Sequence, residues 1–275
     1  KGSLSDQKND SANTTILESS IPVRNITLVH GNDSQINTTT LSSNDKLLLS
    51  LHFNNESWRN EGNSSFFNDS SGNNHHGSCA RTADDPRDKC PRIFFDDNET
   101  FSGGIQGFLE FNRTFGKNVT IEKNLGLGNN ATIVLMFMPR STNTGLTVCL
   151  FCNGRVTKAN TFLLTADFFG NPEMVLLIRD RNATHTVTSL PVSILTDKWH
   201  FVAFTSNYSN NGANITLFWQ GEVNHIIGTK LQMASFPNMI NISNLDGDGT
   251  MQYYIGGDNS SSAFDGFIDE LAVYN

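Results

Sequence analysis

From Lys46 onward the sequence is a succession of short apolar runs, each closed by Gly, Asn or Asp, and none holds a three-turn amphipathic helix. Leu47–Phe53, Phe108–Phe111, Val119–Leu125, Thr132–Met138, Thr161–Phe168, Met174–Asp180, Trp199–Ser206, Ile215–Gln220, Gln252–Gly257 and Gly266–Asn275 all read as strands. Where apolar and polar residues alternate, as in Asn214-Ile-Thr-Leu-Phe-Trp219, the period is two, which is the period of a strand with one buried face. No strand–helix–strand alternation and no fixed repeat accompanies them. A chain written this way can bury its apolar side chains only by stacking sheets. The spacing of the turns points to an all-β, antiparallel two-sheet sandwich.

The 275 residues suit one large all-β domain or two small ones, and 20 Phe with 3 Trp are enough for a sizeable core. Only 17% of residues are charged, so the polarity is carried by neutral Asn, Ser and Thr. The net charge of −8 comes without a Lys/Arg cluster, which argues against nucleic acid or an anionic membrane as partner. No apolar run approaches the ~20 residues that would make a membrane span. The chain opens on Lys with no leader pattern, and so reads as a mature chain that has lost a signal peptide, or as a fragment.

Composition changes near residue 45. Residues 1–45 hold no aromatic residue and form an extended polar N-terminal arm, and residues 46–275 form the domain. One stretch of the arm, Ile21–His30, alternates like a strand. A lone strand cannot bury its own side chains, so residues 21–29 either stay disordered or add to a sheet, their own or a neighbour's.

Half of the Asn residues, 17 of 34, stand in Asn-x-Ser/Thr without an intervening Pro. With 51 Ser and Thr, chance gives 34 × 51/275, about 6, so the excess is nearly threefold. These acceptors for N-linked glycans are Asn9, Asn13, Asn25, Asn32, Asn37, Asn55, Asn63, Asn68, Asn98, Asn112, Asn118, Asn130, Asn182, Asn207, Asn214, Asn241 and Asn259. Each glycan must lie on solvent, so the pattern implies a large exposed surface and passage through a secretory route to an extracellular or cell-surface site. Strand alternation turns Asn214 and Asn118 outward, with Ile215, Val119 and Ile121 inward.

Four cysteines in such a context imply disulfides. Of the three possible pairings, Cys79–Cys90 with Cys149–Cys152 closes two local loops and is preferred. The spacing does not fit a zinc ribbon. The Cys149–Cys152 pair follows what reads as a strand, whereas a redox motif sits at a helix N-terminus.

Several segments, in order, resemble the laminin-G-like, concanavalin A-like jelly-roll domains. Leu47–Phe53 followed by Asn68-Asp-Ser-Ser-Gly-Asn-Asn-His-His-Gly77 resembles the first strand and its Asp-x-Ser-Gly-Asn loop. Gly107–Asn112, Val119–Leu127 and Thr132–Pro139 are similar to the next strands. Trp199–Phe204 and Ile215–Glu222 follow, and Ile255-Gly-Gly257 and Phe264-Asp-Gly-Phe-Ile-Asp-Glu-Leu-Ala-Val-Tyr274 resemble the closing strand. Together they cover about residues 46–275 and imply a jelly-roll sandwich.

The resemblance also implies a structural Ca²⁺, with Asp69, Asn74 and Asp269 at the matching positions. Calcium takes six to eight oxygen ligands. The alternative for Asp69 is a turn held by side-chain-to-backbone hydrogen bonds. Asn54, where many relatives carry an acid, weakens the calcium set. Asn244–Gly249 copies the first half of an EF-hand loop, but Ile255 occupies the position of the bidentate Glu, so a solvated turn is expected there. Glucanases of this superfamily need carboxylates at fixed offsets on one strand. Asp269 and Glu270 are adjacent, which on a regular strand puts them on opposite faces. No Ser/His/Asp or Cys/His arrangement stands out, and His75 and His76 read as loop residues. The chain is therefore not expected to be an enzyme. A sugar site wants exposed aromatics beside polar loop residues, with Tyr253, Tyr254, Trp58 and Trp219 as candidates and Trp199 expected in the core.

These readings converge on a secreted, heavily glycosylated structural or adhesive module. Its arm would link copies head to tail into a homo-oligomer, filament or surface coat by strand addition. The alternative is a carbohydrate-binding, lectin-like module.

Overall fold

The chain divides into two units, Lys1–Asp45 and Lys46–Asn275. A computed structural model describes residues 46–53, 58–61, 64–80, 90–95, 107–113, 118–122, 124–127, 130–141, 147–154, 161–168, 172–179, 184–192, 194–209, 212–223, 226–236, 252–257 and 263–275. The arm strand expected at 21–29 and the turn at Asn244–Gly249 lie outside them.

Seventeen strands and no α-helix are found among the described residues. One sheet runs, in spatial order, β15 (Ile226–Phe236), β14 (Gly212–Val223), β13 (His200–Ser209), β8 (Asn130–Pro139), β17 (Gly266–Tyr274), β6 (Gly107–Phe111) and β5 (Arg92–Phe95), with β1 (Leu47–Leu51) also on β17. We call it the front sheet. The back sheet runs β12 (Thr184–Pro191), β11 (Glu173–Arg179), β10 (Thr161–Asp167), β9 (Thr147–Cys152), β16 (Tyr253–Ile255), β7 (Val119–Ile121), β4 (Gly77–Ala80), β3 (Ser64–Phe67) and β2 (Trp58–Glu61). Every pairing is antiparallel. The expected all-β antiparallel sandwich is the fold.

The core lies between the two inner faces. Leu49, Leu51 and Phe53 from β1 and the residue just beyond its end, Ile133, Leu135 and Phe137 from β8, and Val202 and Phe204 from β13 face Leu150, Phe151, Phe162, Leu164, Leu176 and Ile255 in one cluster. Alternation of the pleat leaves the residues between them for the outer faces. Gly256 (φ 75°) lets this core close: a Cβ there would stand 2.2 Å from the Phe111 ring.

All ten expected strands are present. The missed ones include the end strands of the two main strand orders, β15, β5, β12 and β2. Edge strands have a partner on one side only, so their sequences carry a weaker apolar rhythm, as in Trp-Arg-Asn-Glu of β2.

Both disulfides form as preferred from the sequence, Cys79–Cys90 and Cys149–Cys152. Residues three apart on a regular strand point to opposite faces. The register of β9 slips between Phe151, opposite Leu164, and Cys149, opposite Thr165. This bulge turns both Leu150 and Phe151 into the main core and leaves Cys149 and Cys152 together, in a second cluster with Leu163 and Leu177.

Candidate functional site

The outer face of the front sheet carries an aromatic cluster near its β5 edge. Phe94 of β5 lies opposite Phe108 of β6, and the rings stack with centroids 5.4 Å apart. Phe108 is the hub, edge-on to Phe267 of β17 at 5.1 Å and to Trp199 at 5.5 Å. Phe94 is 48% exposed, although it belongs to a residue type usually buried. Its position on an edge strand leaves the ring face away from Phe108 without a neighbouring strand among the described residues. Trp199 is half-buried and joins this cluster, which corrects the expectation that it sits in the core.

Polar groups border the rings. Arg140, just past β8, lies with its guanidinium 5.0 Å from the Phe267 ring centre. It donates from Nη1 to Glu110 Oε1 at 2.9 Å and from Nη2 to the Phe111 carbonyl at 2.8 Å. Its Nε stands 3.6 Å from Asp265 Oδ1. Two hydrogen bonds hold the fork and Asp265 adds an ion pair, so Glu110, Asp265 and Arg140 set polar groups beside an apolar platform. The direct row Arg92, Glu110, Phe267, Met138 crosses β5, β6, β17 and β8. An apolar ring face framed by fixed polar groups suits a ligand with one apolar face and a polar rim.

The aromatic candidates from the sequence fall elsewhere. Tyr253, Tyr254 and Trp219 are 4%, 5% and 2% exposed, and Tyr253 stacks on Phe151 at 5.7 Å inside the core. Burial pushes the Tyr253 hydroxyl up to about 12. The side chain of Trp58 is outside the described set. In the sequence the front-sheet cluster is signalled by Arg-Ile-Phe-Phe95, a turn-bounded run with two Phe.

A second polar constellation organises β1. Asp69 uses both carboxylate oxygens twice: Oδ1 accepts from Ser50 N (3.0 Å) and Ser71 N (2.9 Å), and Oδ2 from Ser71 Oγ (2.8 Å) and His75 N (3.0 Å). Burial alone would raise its pKa, but these bonds outweigh burial and hold it below the usual carboxylate value. Asn73 Nδ2 reaches the Leu47 and Leu48 carbonyls at 2.8 and 3.1 Å, and Ser71 Oγ stands 3.0 Å from Leu48 O. The loop thus caps the edge of β1 that β17 leaves open. His76 Nδ1 accepts from Asp69 N and His75 Nδ1 bonds Leu48 O, so both histidines serve the loop.

This donor set does not fit the calcium ion that the resemblance implies. The four acceptor positions of Asp69 are filled by N–H and O–H donors, Asn74 is exposed at φ 59°, and no group of three or more His, Cys, Asp or Glu poised for an ion occurs among the described residues.

Opposite the loop, β17 bulges between Asp269 and Ala272, with Glu270 at φ 49°. Ile268 and Leu271 both stay in the core, so Asp269 and Glu270 leave together and both act on His52. The expectation of opposite faces therefore fails, because it assumed a regular strand. His52 Nδ1 is 2.6 Å from Glu270 Oε2, and its Nε2 is 3.0 Å from Ser50 Oγ. The hydrogen bond to Glu270 raises the imidazole pKa despite burial. Asp269 is pushed up to about 8, by burial first and then by the Glu270 charge. Ser50, His52 and Glu270 have the connectivity of a nucleophile, base and orienting acid, which sequence reading missed because the residues are 218 positions apart at the last link. Ser50 is 4% exposed.

Of the Asn-x-Ser/Thr asparagines among the described residues, Asn130, Asn207 and Asn214 are exposed, and Asn68 and Asn112 are half-buried. Asn118 is 5% exposed. It precedes β7, a central strand, and the outward direction expected for it does not hold.

Two packed antiparallel sheets with a strand-rich front and back define a jelly-roll-type sandwich. Residues 114–275 match the concanavalin A-like lectin/glucanase superfamily, and the chain belongs to it. No curated protein matches it in sequence. Among solved structures it is similar to domain 4 of AbnA, a GH43 extracellular arabinanase from Geobacillus stearothermophilus, in complex with arabinotriose. That match has 19% identity over 84% of this chain and 93% of the other, at TM-score 0.49. It is also similar to the enzymatically active domain of bacteriophage CBA120 tailspike protein 2, with 14% identity over 70% of this chain and 29% of that one, at TM-score 0.48. A third is the Ruminococcus gnavus IT-sialidase CBM40 bound to α2,3-sialyllactose, with 17% identity over 53% and 75%, at TM-score 0.37. These are likenesses of fold alone.

Proposed function

We propose that the domain is a secreted carbohydrate-binding module that takes its ligand on the outer face of the front sheet, at Phe94, Phe108, Phe267 and Trp199. The exposed Phe94 ring, stacked on Phe108 beside the fixed Arg140 fork, carries the reading. A pyranose has one face of C–H groups and a rim of hydroxyls. The C–H face covers an aromatic ring and releases its water, while Glu110, Asp265 and Arg140 bond the hydroxyls. Membership of a superfamily that includes lectins supports it, and two disulfides suit an oxidising, extracellular compartment. A glycan array followed by calorimetry tests it. Phe94→Ala should weaken the best-binding sugar at least about tenfold, the equivalent of ~1.4 kcal/mol, with the melting temperature retained. A full array without a binder, or a sugar whose affinity ignores Phe94→Ala and Phe267→Ala alike, refutes it.

Linkage of copies through residues 21–29 rests on their sequence pattern alone, and the surface just described favours the sugar-binding reading over it. A chain lacking residues 1–45 that assembles as the full chain does would end the linkage idea. Hydrolysis at Ser50 has the His52–Glu270 relay in its favour and the burial of Ser50 against it. Absence of labelling by a fluorophosphonate is the expected outcome.

A further inference from the structure

The sandwich gathers three glycan acceptors that are scattered in the sequence. In the register of the front sheet Asn130 of β8 lies opposite Asn207 of β13, which lies opposite Asn214 of β14. All three are exposed. One step further along the sheet, Thr132, Thr205 and Thr216 form the parallel row, so the Thr of the first and third sequons shares the outer face with its Asn. The residues between them, Ala131 and Ile215, point into the core at 2% and 1% exposure. Opposed residues on neighbouring strands are about 4.5–5.5 Å apart at Cα, so the row spans roughly 10 Å.

We infer that this row is a three-glycan cluster whose central member, on Asn207, is shielded by its neighbours and escapes trimming. The attachment is an ordinary transfer. The Asn amide nitrogen gives up one hydrogen and bonds C1 of the first N-acetylglucosamine. The C1–O bond to a lipid pyrophosphate breaks, and the pyrophosphate leaves with the proton. The donor is a lipid-linked oligosaccharide, and transfer takes place before the sheet forms, so the fold does not prevent occupancy at any of the three. Folding then brings the stems together. Each sugar ring is about as wide as the strand spacing, so three branched glycans cannot spread flat over one another and must stand side by side. A trimming enzyme has to enclose the branch it cuts, and Asn207 is flanked on both sides.

The same geometry leaves the proposed sugar-binding end open. Asn130 and Met138 share the outer face of β8 eight residues apart, about 27 Å at 3.4 Å per residue, and Met138 lies opposite Phe267. The glycan row thus covers one end of the face and the aromatic cluster occupies the other. The inference does not depend on what the aromatic end binds.

The experiment is site-resolved glycopeptide mass spectrometry on the full chain secreted from a eukaryotic cell. Expected are occupied Asn130, Asn207 and Asn214, with predominantly untrimmed glycan at Asn207 alone among the three. The Asn130→Gln/Asn214→Gln double variant should convert Asn207 to predominantly trimmed glycan. Thr132→Ala with Thr216→Ala removes the same two sequons by another route and should do the same if the first variant folds poorly. An unoccupied Asn207, or one equally trimmed in the wild-type chain and in both variants, overturns the inference.

Discussion

Replacing Asp69 by Ala removes the acceptor for four donors at once: Ser50 N, Ser71 N, Ser71 Oγ and His75 N. Ser50 is buried in β1, so its N–H is left without an acceptor where water has little access. That alone costs about 1–3 kcal/mol. The loop donors can turn to water and cost less, about 0.5–1 kcal/mol each by the net worth of a hydrogen bond. The sum is about 2.5–6 kcal/mol. For a domain of this size each kcal/mol is worth about 2–4 °C, so a melting temperature lower by roughly 5–24 °C is expected. Asp69→Asn keeps the shape and one acceptor oxygen, and should fall between. Differential scanning calorimetry at pH 7 with and without a strong chelator is the assay. The order wild type, Asn, Ala should hold, and the chelator should move none of them. A cost under about 0.5 kcal/mol for Asp69→Ala, the scale of a plain surface substitution, refutes this role of the carboxylate. Chelation that lowers the wild-type melting temperature and spares Asp69→Ala refutes it equally, because it would make Asp69 a metal ligand.

Acidity at the β17 bulge gives a pH dependence of definite sign. Asp269 has a folded pKa of about 8 against 3.8, so the folded state holds the extra proton and stability declines as pH rises from about 4 to about 8. His52, also raised, loses its contribution as pH rises above 6.5, whereas Asp69, depressed, loses its own below its ordinary range. Urea unfolding should therefore show a more stable protein at pH 5 than at pH 8.5, and Asp269→Asn should remove most of that slope. Removing Cys79–Cys90 by a double Ser substitution frees a loop with a separation of 11 residues, for which loop entropy gives about 2.8 kcal/mol. The Cys149–Cys152 link, with a separation of 3, should cost less, about 1.9 kcal/mol on the same scale, and chemical denaturation of the two variants compares them. Gly256→Ala should prevent folding or lower the melting temperature by more than either disulfide, since the new methyl would stand 2.2 Å from Phe111 at a φ of 75°.

Strand identity was legible wherever a strand is buried on one face and solvated on the other, as in β8, β13 and β14, because the period-two pattern records that asymmetry directly. The two disulfides were legible because each closes a local loop. Sites were less legible. Asp69 could be named as either a ligand or a turn former, and only the positions of Ser50, Ser71 and His75 chose between them. Trp199 was misplaced because a half-buried aromatic and a core aromatic look alike in sequence.

By itself, then, the sequence determined the all-β class, the strands with one wet face, the loops to be stapled and the surplus of glycan acceptors. Those follow from local periodicity and composition, which act within a few residues. Tertiary structure decided everything that depends on register. Pairing placed Asn130, Asn207 and Asn214 in one row and buried Asn118. It set Phe94 on Phe108 at an edge, one bulge brought Cys149 and Cys152 together, and another overturned the opposite faces expected of Asp269 and Glu270. A shift of one residue in pairing turns a side chain to the other face, so no local pattern could have contained that information.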